Sequence, residues 1–82
     1  MRRSEAIRLL KAAARNRCLI FSAHASAEMD ADQETVESVS ASIAVATAFD
    51  RQTDGTWKVR GDHVAAVVDI KPNGVVVVTT WI

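Results

Sequence analysis

Few side chains in this 82-residue sequence can move a proton or hold an anion near neutral pH. His24 and His63 carry imidazoles, whose ordinary titration lies in that range. Lys58 and Arg60 stand two residues apart, so any strand that contains both points them to one face. Thr79 adds a hydroxyl near the C-terminus. Fixed cations beside hydroxyls are the parts needed to hold a phosphodiester and neutralise the charge that develops on it. An imidazole can then act on a ribose 2′-hydroxyl or on the leaving oxygen. His24, Lys58 and Arg60 are the candidate catalytic residues, with His63 and Thr79 as candidate substrate contacts.

Each residue also has a plain structural use. His24 can brace a helix start, and His63 can sit exposed beside a turn. Lys58 and Arg60 fit the solvated face of an edge strand, where charge deters aggregation. Trp57 and Trp81 suit core anchors better than base-stacking platforms, and Asp30 and Asp32 suit a turn and a helix cap. One cysteine and two histidines make no zinc site of recognised spacing. There is no glycine-rich phosphate loop and no Gly-x-Ser-x-Gly elbow. No metal and no cofactor are expected.

The elements that must position these groups follow from patterning. Ser4 is expected to cap a helix running to about Arg17, with Ala6, Ile7, Leu10, Ala13 and Ala14 on its apolar face. Cys18–Phe21 reads as a short strand, with the lone thiol expected to be buried and inert. An alanine-rich helix spans Ala23 to about Met29, and Asp32 is expected to cap another that buries Val36, Val39, Ser40 and Ile43. A strand is expected from about Val45. Asp54-Gly55 marks a hairpin turn before the strand Trp57–Arg60. Gly61-Asp62 marks a second turn, His63–Ile70 a strand, Lys71–Gly74 a third turn, and Val75–Trp81 the last strand. In these strands Thr79 and Trp81 share a face, as do His63, Ala65, Val67 and Asp69. The pattern implies one α+β domain, 1–82, with helices packed on a mostly antiparallel sheet of four to five strands.

Composition narrows the function classes. Hydrophobic residues make up 49% of the chain, enough for a folded core. Ten basic residues balance ten acidic ones, so the chain lacks the surplus of a dedicated polyanion binder. The charges are segregated, however: 1–17 is basic and 28–37 is acidic. The apolar runs are too short for a membrane span, and no signal peptide is recognisable. A cytoplasmic location and no membrane partner are expected.

The order of motifs carries a resemblance. His24-Ala25, Met29, a capped helix with Val36, Trp57-Lys58-Val59, Gly61, the Val64–Asp69 strand and the Val-rich Val75–Thr80 strand ending in Thr resemble the bacterial family catalogued as domain of unknown function 4258. The resemblance covers roughly residues 19 to 81 and leaves the first helix, 1–17, as an extension. That family is similar in layout to small ribonuclease toxins of the RelE and MqsR type, within the barnase, EndoU, colicin and RelE-like grouping. The resemblance implies a metal-independent RNA-cleaving toxin with an antitoxin protein as partner, His24 as the motif histidine and Lys58 in place of the strand arginine. Glu28 stands where an arginine is usual. A carboxylate there is expected to repel phosphate and weaken the nuclease. The alternative is a non-catalytic module that pairs through a sheet edge with itself or another protein, for which a Val75–Thr80 strand at an edge would serve.

Overall fold

The structure is a computed structural model and describes every residue from Met1 to Ile82. The chain forms α1 (Arg3–Arg15), β1 (Ile20–Phe21), α2 (Ala23–Ala31), α3 (Val36–Ala44), β2 (Ala48–Arg51), β3 (Trp57–Arg60), β4 (Ala65–Lys71) and β5 (Gly74–Trp81). The fold is α+β, with one sheet ordered β1-β5-β4-β3-β2.

The meander β2-β3-β4-β5 is antiparallel throughout, as its Gly-containing turns imply. β1 breaks the pattern by pairing parallel with β5, Ile20 beside Val76 and Phe21 beside Val77. The expected edge position for Val75–Thr80 is therefore wrong. β5 lies inside the sheet, and only β1 and the four-residue β2 are at its edges. Local turns reveal sequential pairing, but a parallel partner arriving from the far end of the chain leaves no local mark.

Helix ends correct several other expectations. α1 starts after Arg2 with no side-chain cap, and Ser4 lies within its first turn. It closes at Arg15, earlier than expected. The Cys18 amide donates to the Ala13 carbonyl and the Arg17 amide to Ala14, with Arg17 at φ 56°. This is a Schellman closure, in which a left-handed residue turns the chain off the helix axis. The turn leaves Cys18 exposed rather than buried. α2 ends the same way, with Gln33 at φ 59° and the Glu34 amide donating to Met29. Asp32 consequently terminates α2 instead of capping the next helix. Thr35 caps α3, in a reciprocal pair of hydrogen bonds with Ser38. Val45 and Ala46 still belong to the exit from α3, and β2 begins only at Ala48.

Ala6, Leu10 and Ala14 of α1, with Val39 and Ile43 of α3, are buried together with Trp57, Val59, Val68 and Val77 of the sheet. The helix that the resemblance leaves as an extension thus supplies part of the common core. No helix is long and apolar enough to cross a membrane.

Candidate functional site

Strand alternation puts Trp57, Val59, Ala66, Val68, Val75 and Val77 against the helices. Lys58 and Arg60 point the other way and are exposed. In β5 simple alternation from Val75 and Val77 would carry Thr79 and Trp81 into the core. It does not, because Val67 opposes Thr79 while Val68 opposes Val77, leaving Val78 unpaired as a β-bulge. The bulge sends Thr80 inward, to 2% exposure, and turns Thr79 and Trp81 onto the face of Lys58 and Arg60. Trp81 is half-buried there, which corrects its assignment as a core anchor; Trp57 is the core anchor.

Two rows of side chains cross this face. One runs Asp50, Lys58, Val67, Thr79 and the other Ala48, Arg60, Ala65, Trp81. Lys58 and Thr79 are separated by one intervening strand, so their backbones lie about 10 Å apart. The Lys58 ammonium stands 5.8 Å from the Trp81 ring centroid, close enough for a cation–π attraction. Neither Lys58 nor Arg60 is committed to an ion pair.

His24 reaches the first row through Glu28. Ser22 follows β1, caps α2 by accepting from the Ala25 amide, and donates its hydroxyl to the Val78 carbonyl at the bulge. α2 is thereby held alongside β5. One turn separates His24 from Glu28, and their side chains meet at 3.0 Å. The same carboxylate oxygen accepts from the Thr79 hydroxyl. The carboxylate that the sequence casts as a repeller of phosphate is thus engaged on both sides, by an imidazole and a hydroxyl. Glu28 is the residue whose link between His24 and Thr79 sequence reasoning did not foresee. The signal that would have found it is its i,i+4 spacing from His24.

His63 does not join this group. The chain bends through Gly61–Val64 and β4 begins at Ala65, so His63 is not on the strand face expected for it. Its backbone amide donates to the Ser42 hydroxyl of α3, and its imidazole lies 2.8 Å from Glu34. The Ser38 hydroxyl, and after it the His63 imidazole, hold the Glu34 carboxyl below its ordinary value of 4.5. The contact ties the β3–β4 turn to the start of α3, a structural service rather than a place in the row.

The surface has no enclosed pocket. Compared with known proteins, the chain matches no family model, no curated protein and no solved structure.

Proposed function

We propose that the protein is an endoribonuclease of the toxin type, cleaving RNA by general acid–base chemistry on the face of its sheet that bears Lys58 and Arg60. The observation that carries this reading is the chain of contacts His24–Glu28–Thr79, which runs from α2 to the row of the sheet that also bears Lys58. Glu28 lies 3.0 Å from His24 Nε2, and its negative charge favours the tautomer with the proton on that nitrogen, leaving Nδ1 as the basic one. That nitrogen takes the proton of a ribose 2′-hydroxyl as its oxygen bonds to the adjacent phosphorus, the P–O5′ bond breaks to leave a 2′,3′-cyclic phosphate, and the departing 5′-oxygen takes a proton from water; Glu28 stabilises the imidazolium that forms. Lys58 and Arg60 hold the phosphate and neutralise the added charge of the transition state, so the scheme needs no metal.

The balanced net charge implies modest affinity for the RNA chain. The toxin assignment draws on the motif order running from His24-Ala25 to the Thr-ending strand. It brings with it a cytoplasmic site of action and an antitoxin protein as partner. The alternative of a sheet-edge module has less support, since β5 is interior and the Phe49 carbonyl of edge strand β2 already accepts from Arg3. Expression in a bacterial host tests the reading. Growth arrest relieved by His24→Ala and by Lys58→Ala is the expected result, and unimpeded growth on overexpression of folded protein counts against it.

A further inference from the structure

The two tryptophans differ in what surrounds them. Trp57 is 4% exposed beneath the helices, while Trp81 lies half-buried on the opposite face because of the bulge at Val78. In its row Trp81 is separated from Arg60 only by Ala65, a small residue that is itself 1% exposed. Lys58 approaches the indole ring, and Arg60 stands two strands away. An indole with one ammonium over its ring and a guanidinium in its own row fits one chemistry closely: a base that takes the ammonium's place on the ring, with its phosphates drawn to the two cations.

We infer that Trp81 is a stacking platform for an unpaired base, which makes single-stranded RNA the substrate class of this face. The inference rests on the RNA reading above and narrows it. In a duplex both faces of every base are covered by its neighbours, and the A-form grooves present only edges and backbone. A flat sheet bearing one indole can therefore take a base only from an unpaired strand. Thr79 and Trp81 are two residues apart on the same face, about 7 Å along the strand. A base on Trp81 consequently belongs to a nucleotide adjoining the phosphodiester held by Lys58, whose ammonium lies beside the same ring. Stacking is tolerant of base identity, so preference among sequences follows stacking strength.

Binding can be read apart from cleavage with a 2′-O-methyl oligouridine of eight residues, which lacks the attacking hydroxyl. The probe carries a 5′-fluorescein and is titrated with protein in EDTA at low salt while its anisotropy is followed. The expected result is a saturable rise with the single strand, about tenfold weaker binding to the same strand annealed to its complement, and a similar loss in Trp81→Leu. Trp81→Phe keeps a ring and is expected to fall between. Circular dichroism verifies that the variants are folded, and Phe serves as the ring-preserving variant if Leu is not. Equal affinity for single strand and duplex, unchanged affinity in folded Trp81 variants, or no binding by the unaltered protein would each overturn the inference. If His24→Ala leaves cleavage intact while Trp81→Leu abolishes binding, the catalytic assignment fails and the platform stands.

Discussion

Glu28 and Thr79 lie 51 residues apart in the chain, on a helix and on a strand, and one carboxylate oxygen of Glu28 joins them. The same oxygen receives His24. The joint needs three things at once: the Ser22 tie that holds α2 beside β5, the i,i+4 spacing of His24 and Glu28, and the bulge at Val78 that turns Thr79 outward. Glu28→Gln keeps the size of the side chain and removes the charge that orients the imidazole. It should lower kcat for RNA cleavage by about 10²-fold with KM little changed, the split expected of a positioning residue. A purely structural role would appear instead as a loss of thermal stability with kcat intact.

A second prediction concerns acid. Glu34 is held below its ordinary value of 4.5 by Ser38 and His63. A depressed carboxyl stabilises the fold fully above that value and loses the contribution as pH falls through the folded-state titration. The stability advantage of the unaltered protein over Glu34→Gln should thus be present at pH 6 and shrink steadily below pH 4.5. Thermal melts of the two proteins across that range check it, and a difference that is constant with pH would refute the linkage.

Third, two helix ends pay for their closure with a left-handed residue that has a Cβ. Arg17 and Gln33 stand at φ 56° and 59°. Left-handed backbone costs an L-residue about 1–2 kcal/mol, part of which glycine gives back through its greater unfolded-state entropy. Gln33→Gly should raise stability by roughly 0.5–1 kcal/mol in a urea titration, with no effect on activity.

Fourth, the turn between β3 and β4 is keyed to α3. The Ser42 hydroxyl accepts from the His63 and Val64 amides, and a Cβ on Gly61 would lie 2.8 Å from the carbonyls of Ser42 and Val64. Ser42→Ala strands a buried amide and should cost about 1–3 kcal/mol. Gly61→Ala forces backbone apart and should cost a similar amount by overpacking. Denaturant unfolding of both variants measures the costs.

What the sequence disclosed follows from how local each feature is. The Asp54-Gly55 and Asn73-Gly74 turns and the alternation of Trp57–Arg60 are written in adjacent residues, and the meander they imply is present. Asp32 and Thr35 are both good cap residues. Only the closure at Gln33, which ends α2 late, decides between them. The bulge at Val78 has no glycine to mark it, so the outward turn of Thr79 and Trp81 depends on pairing with β4 and cannot be read from β5 alone. The parallel pairing of β1 is equally silent, since two residues of a short apolar run carry no register. The candidate site was legible as a list of residue types. Its connection through Glu28 was not, because the resemblance drew attention to the charge of Glu28 and away from its spacing.

The central claim is that His24 and Lys58 act together on RNA. It is tested by incubating folded protein with a single-stranded RNA in EDTA and resolving the products and their ends. The account predicts cleavage that leaves 2′,3′-cyclic phosphate termini, reduced about 10²-fold or more by His24→Ala and by Lys58→Ala. RNA left intact by the unaltered protein, or cut equally well by both folded variants, would contradict it.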